Sequence, residues 1–563
     1  MIAVVANPSE HAAVYEFFEL FKTPWQFYQP DCKYDVILST GSTDFDMSAA
    51  CLSLIYSGRT LPLDEGEITE LAAAGGESCN VSYKGFRIPL HGDHVFFPNG
   101  AGFSSTVKVP KTTICRYQSG GREIVRIGYD LFAEVRILLT HGQAVHDAAI
   151  PALELHIALL RDLIRSSGMP LAEIPPIPHG YQFIACLTHD VDHPMLRRHR
   201  FDHTMFGFLY RATVGSLVAA FRGRVPWSSA WKNWWAALKL PFVHLGLASD
   251  CWSELARYIV MEEGAPSSFF FIPFQGRPGR SQDSTAPGER AAKYGAADLS
   301  GQIRSLMSAG CEIGLHGIDA WHDATAARDE LREIRKITQE QEIGVRMHWL
   351  YFDENSPATL ERAGASYDST VGYNETIGYR AGTTQAYRPP GTNHLIELPL
   401  HVMDTALFFP SHLGLSAAEA RPLVGQMIDN LVRFGGCLTV NWHDRSIAPE
   451  RLWGDFYVDL IAELKARGAW LTTAGEAVAW FRKRRSARFE DVSWDATSLR
   501  AKIAVEPGDD MPSLQLLVNE GREQHQVALI GPASSESSSF GQTQTINAHI
   551  ALTNEMQTAV ERN

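Results

Sequence analysis

Between Tyr181 and about Arg485, short apolar runs alternate with helical patterns, and this alternation restricts the fold more than any other feature of the chain. Strand-like runs fall at 183–188, 268–273, 311–316, 345–351, 395–400, 437–442 and 469–472. Helical patterns fall at 300–309, 323–342, 417–434 and 453–467. Apolar runs with no polar face suit strands covered on both sides, and the helices between them suit crossover connections. The expected fold class is α/β, with a parallel sheet that is either closed into a βα barrel or left open.

The flanks read differently. Pro170, Pro175, Pro176 and Pro178 mark a linker, so 1–168 is expected to be an N-terminal α/β accessory domain. An apolar run at 2–6, an amphipathic stretch from about Ser9 to Phe21 and a strand at 34–38 begin it, and 147–167 reads as one long helix ending at Gly168. It carries no phosphate-loop glycine signature, so no nucleotide site is expected. Asn80-Val81-Ser82 fits a glycosylation sequon and is read as chance. Residues 486–563 are expected to form an appendage, either a small β module or partly disordered, with a Ser-rich loop at 534–539. The expected boundaries are therefore 1–168, 181–485 and 486–563.

Fifty Lys and Arg against 64 Asp and Glu give a net charge of −14, which argues against a nucleic-acid partner. The charge is uneven. Residues 195–245, which do not fit the barrel pattern, hold eight basic residues and one acid. Trp231, Trp234, Trp235 and Leu238 recur there at helical spacing, with Trp227 nearby. A basic segment with an aromatic face suits peripheral contact with an anionic membrane or a lipid-linked sugar phosphate; a hairpin packed over the barrel mouth fits the same pattern. The eight cysteines include no C-x-x-C pair and read as reduced, mostly buried thiols. With no basic n-region at the start and no apolar run of about 18 residues, the expected location is cytoplasmic, at the inner membrane face through 195–245.

Three strand ends carry the chemistry. Leu187-Thr188-His189-Asp190-Val191-Asp192-His193-Pro194 puts two carboxylates two residues apart, on one face of an extended segment. A metal or another cation would offset their repulsion, and one acid can ligate while the other serves as a base. Cys311-Glu312-Ile313-Gly314-Leu315-His316-Gly317 ends in a histidine, with Asp319 and His322 just beyond. Gly436-Cys437-Leu438-Thr439-Val440-Asn441-Trp442-His443 ends in another. Each fits a turn or a structural histidine when taken alone. Together, at the strand ends where α/β folds place their sites, they point to a metal-dependent hydrolase.

In this order, strand–Thr-x-Asp-x-Asp, strand–His-Gly, an Arg-bearing strand and a late strand–His resemble the polysaccharide deacetylases (carbohydrate esterase family 4) over about 181–485. The resemblance implies a distorted (β/α) barrel with fewer than eight regular strands. It implies removal of an N-acetyl group from an amino sugar with one divalent metal ion, zinc being the expected one. Asp190 matches the catalytic base, Asp192 the metal carboxylate, His316 the first metal histidine and His443 the catalytic acid. The second metal histidine normally follows four residues after the first; that position here is Ala320. His322 is the expected third ligand, with Asp319 as the alternative. Arg346 matches the arginine that orients the base. Arg388-Pro389-Pro390 also imitates the family's Arg-Pro motif, and Asp404 is the nearest counterpart of its acidic element. Arg380 and Arg388, in turn-rich loops, are candidates for substrate contact, as are Asp319 and Asp404.

The expected substrate is an N-acetylated amino sugar or a glycan precursor in envelope or exopolysaccharide synthesis. The alternatives are a catalytically inactive glycan-binding member of the family and a C–N hydrolase of small cyclic amides on the same fold.

Overall fold

Residues 183–191 are uninterrupted by a polar face, and all nine are buried in a parallel strand. In the computed structural model, which describes residues 1–64, 70–72, 79–98, 111–119, 121–223, 225–281, 284–494, 498–506, 511–520, 523–529 and 544–551, this strand lies within the main sheet. Contacts divide the chain into two units. One is Met1–Gly180 with Ala381–Pro390 and Ala479–Asn563; the other is Tyr181–Arg380 with Gly391–Val478. Residues 381–390 and 479–485, read from sequence as barrel, thus group with the first unit.

In the second unit the parallel strands run in the spatial order Ile396–Glu397, Tyr367–Asp368, Val345–Met347, Glu312–Gly317, Ser268–Phe271, Phe183–Val191, Cys437–Asn441, Val402–Met403. Ala469–Thr472 pairs with the first half of Phe183–Val191. The two ends of this order belong to one extended segment. Ile396 and Glu397 pair with Tyr367 and Asp368, and Val402 and Met403 pair with Val440 and Asn441. Residues 396–403 therefore bridge the ends of the sheet, and Pro399, which cannot donate to a ladder, separates the two pairings. The result is a curled α/β barrel with short, irregular strands. Helices Ser300–Ser308, Ala324–Thr338, Ala417–Phe434 and Gly454–Ala466 form the crossovers, close to the expected positions. Gly344 permits one close approach: a Cβ there would lie 2.1 Å from the Tyr367 ring, which reaches across to Glu312 Oε1.

The 195–245 segment is helical. His203–Tyr210 and Ser216–Phe221 flank a π turn at Arg211–Gly215, and Trp227–His244 follows. Phe208, Ala212, Leu240 and Trp252 form the small apolar core beneath it.

The first unit contains a six-stranded sheet, parallel except for the Ile114–Ser119/Arg122–Ile127 hairpin, with helices His11–Phe21, Leu131–Thr140 and Ala152–Ser166. The described C-terminal strands are antiparallel. Leu514–Glu520 and Glu523–Leu529 form a three-stranded sheet with Leu171–Glu173, while Arg488–Trp494, Ser498–Val505 and Gln544–Ala551 form another. The Ser-rich stretch at 534–539 lies outside the described residues. Four of the seven described cysteine side chains are buried, and none of the seven is in a disulfide.

Candidate metal and catalytic site

The parallel register brings the C-terminal strand ends to one rim. Asp190 and Asp192 lie at the end of Phe183–Val191, His316 is on Glu312–Gly317, Arg346 pairs with His316 in register, and His443 follows Cys437–Asn441. Asp190, Asp192, His316, His348 and His443 line one cleft of about 540 Å³.

Asp192, His316 and His348 form a group whose ligand atoms all lie within 4.8 Å of one another. Asp192 Oδ1 is 3.3 Å from His316 Nε2 and 3.5 Å from His348 Nε2, yet it is buried without a hydrogen-bond partner. His316 Nδ1 donates to the Arg346 carbonyl at 3.0 Å, so in the neutral ring the Nε2 lone pair faces Asp192. Burial lowers the His348 pKa to about 3 despite the Asp192 charge. Burial works to raise the Asp192 pKa, but His348, His316 and His443 outweigh it and hold the carboxyl well below its usual range. One carboxylate oxygen facing two imidazole nitrogens is a donor set that a divalent cation fits.

His322 is not in this group. Its Nε2 contacts Asp319 Oδ1 at 3.1 Å, and the Arg280 amide donates to the same oxygen at 2.8 Å. His348 is the third member of the group. It follows the Val345–Met347 strand directly, in a turn where Trp349 and Leu350 have φ of 62° and 53°. Such left-handed backbone at non-glycine residues is rare, and it clusters at functional sites.

Asp190 is held on both oxygens. Arg346 Nη1 donates to Oδ1 at 3.2 Å and Asn441 Nδ2 to Oδ2 at 2.7 Å. The fully buried Arg346 also donates to Thr188 Oγ1 at 2.6 Å, to the Ser369 carbonyl at 2.9 Å and to Ser369 Oγ at 2.8 Å. Sequence reasoning missed Asn441; its only signal was a polar residue closing an apolar strand two positions before His443.

Asp404, expected to contact substrate, is instead fully buried against His443. It accepts from His443 Nδ1 at 2.6 Å and from the His443 amide at 2.8 Å. Burial acts to lower the His443 pKa, but Asp404, with Asp192 and Asp190 beyond it, raises it to about 10. His443 Nε2 lies 3.8 Å from Asp192 Oδ2. Arg380 and Arg388 do not line the cleft. Arg380 donates to the Gly372 carbonyl and stacks on Phe352 at 4.6 Å. Arg388 belongs to the first unit, where its amide donates to Glu16 Oε1.

The chain matches no protein-family model and no curated protein. It is similar to a solved structure described as a polysaccharide deacetylase from Mycobacterium smegmatis, at 20% identity and TM-score 0.34 over 55% of this chain and 95% of that one. It is also similar to one so described from Pseudomonas aeruginosa PAO1, at 14% identity and TM-score 0.34 over 55% and 95%. A structure named Puue allantoinase is similar at 14% identity and TM-score 0.32 over 55% and 93%.

Proposed function

We propose that the chain is a metal-dependent hydrolase that removes an N-acetyl group from an amino sugar or glycan precursor. The observation that carries this reading is the Asp192/His316/His348 group beside Asp190, with His443 paired to Asp404 on the same rim. A divalent cation held by these three residues would polarise an acyl oxygen and make a neighbouring water more acidic. Asp190, fixed by Arg346 and Asn441, takes a proton from the attacking water. His443 is oriented by Asp404 through Nδ1, which leaves Nε2 to give a proton to the departing amine nitrogen. Trp349, Tyr351, Phe409 and Trp453 line the cleft, and these aromatic faces suit a sugar ring better than a small cyclic amide.

The 195–245 hairpin sits at an anionic membrane surface in this account. Phe221, Trp231 and Trp235 are 73%, 65% and 60% exposed, among Arg222, Lys232 and Lys239. Trp234, grouped with them in the sequence, is partly buried and donates to the Thr213 carbonyl at 3.2 Å. Among the described residues, His203–Phe221 is one helical run long and apolar enough by length and composition to cross a membrane, with a third of it buried. Arg211 within it lines the cleft, which suits an interfacial position.

The test is acetate release from a panel of acetamido sugars, set against ring opening of cyclic amides, before chelation, after it and after metal is restored. Metal-dependent acetate release supports the proposal, and ring opening alone refutes it.

A further inference from the structure

Three arginines line the same cleft as the candidate site: Arg211, Arg445 and Arg451. Arg445 and Arg451 lie on the chain that follows His443, whereas Arg211 comes from the helical hairpin. Arg211 opens the π turn that interrupts the hairpin's first helical run, and π turns recur at functional sites. Aromatic rings support the other two guanidiniums. Trp252 lies 5.5 Å from that of Arg445, and Phe409 and Trp453 each lie 5.0 Å from that of Arg451. Stacking of this kind leaves N–H edges for a ligand.

The Nε atoms of Arg211 and Arg451 are buried without a hydrogen-bond partner. Among the described residues, none of the three arginines forms an ion pair within 4.0 Å. Glu450, Asp444 and Asp404 are the acids that act on them, and all three are engaged elsewhere, Asp404 by His443. Glu450 Oε1 accepts from Trp252 Nε1 at 2.9 Å, and Asp444 Oδ2 accepts from the His193 amide at 2.9 Å. Burial raises the pKa of the Glu450 and Asp444 carboxyls, that of Asp444 to about 7. Burial, and then the charges of Arg445 and Arg211, disfavour the charged form of Arg451. Guanidinium groups nevertheless keep their proton in proteins, so the cluster is costly until an anion joins it.

We propose that Arg211, Arg445 and Arg451 form a subsite for a phosphate or pyrophosphate group carried by the amino-sugar substrate. Guanidinium forks match phosphate oxygens in pairs. The identity of the remainder of the ligand rests on the hydrolase reading; the anion site does not.

The test is calorimetric titration of the full chain with inorganic pyrophosphate. Saturable binding is expected, weakened about tenfold or more in Arg451→Gln and also in Arg211→Gln and Arg445→Gln, whose less buried side chains spare the fold. The preference in kcat/KM for an acetamido-sugar 1-phosphate over the parent sugar is expected to fall by a similar factor in Arg211→Gln. Absence of saturable binding, or binding unchanged in all three variants as it would be for an anion seated on a metal, overturns the subsite. Pyrophosphate binding without hydrolysis of any acetamido sugar keeps the subsite and sinks the deacetylase reading, whereas hydrolysis with neither anion binding nor phosphate preference does the reverse. Comparing a soluble sugar phosphate with a lipid-linked one in mixed micelles identifies the source of the phosphate, and preference for either supports the subsite.

Discussion

His348 Nε2 lies 3.5 Å from Asp192 Oδ1, while His322, six residues after His316, is turned to Asp319 at 3.1 Å. The two histidines therefore make opposite predictions. His348→Ala should lose bound divalent metal, and His322→Ala should keep it. Metal analysis of the purified variants checks this, and metal lost only from His322→Ala would restore the ligand set read from the sequence.

Arg346 ties Thr188, Asp190 and Ser369 together from a fully buried position. Arg346→Met leaves Asp190 without its cation and should cost about 3–5 kcal/mol of stability. Arg346→Lys should recover only part, because one ammonium cannot span three partners. Denaturant unfolding measures both; a Met variant as stable as wild type would mean the network contributes no stability.

A pH effect is expected in the first unit. Burial raises the Glu154 pKa from the usual 4.5 to about 7, against hydrogen bonds from Thr383 Oγ1, Thr384 N and Thr384 Oγ1. A folded-state pKa above the unfolded one favours folding below about pH 4.5, and that advantage is lost as pH rises through 7. Wild type should therefore lose stability relative to Glu154→Gln between these limits, by something on the order of 3 kcal/mol. Thermal midpoints of the two proteins that stay parallel across that range would contradict it.

Membrane contact through the hairpin predicts that the full chain binds vesicles containing anionic lipid and that Trp231→Ser/Trp235→Ser binds markedly less. The variant leaves Trp234 and its bond to Thr213 in place. Cosedimentation decides, and equal weak binding by both proteins would remove the membrane from the account.

The barrel was legible in the sequence because its central strands are continuous apolar runs. Asp190, Asp192, His316 and His443 stood out as candidates for the same reason, since each closes such a run. His348 was hidden because 345–351 looks like one strand. The chain leaves the sheet at Met347 and turns through left-handed backbone at Trp349 and Leu350, which no hydrophobic pattern announces. Asp404 was expected at the substrate, and its place beside His443 could not be read. Its pairing with His443 depends on residues 396–403 bridging the ends of the sheet, a contact between segments distant in sequence. The arginine cluster was illegible because Arg211 meets Arg445 and Arg451 only in three dimensions.

The most direct measurement is the rate of acetate release from an acetamido sugar by wild type and by Asp190→Asn, each with its bound metal quantified. Equal metal content is expected in the two proteins, with a rate in Asp190→Asn lower by about 10²–10⁴-fold. Undiminished release by metal-loaded Asp190→Asn would contradict the assignment of Asp190 as the base.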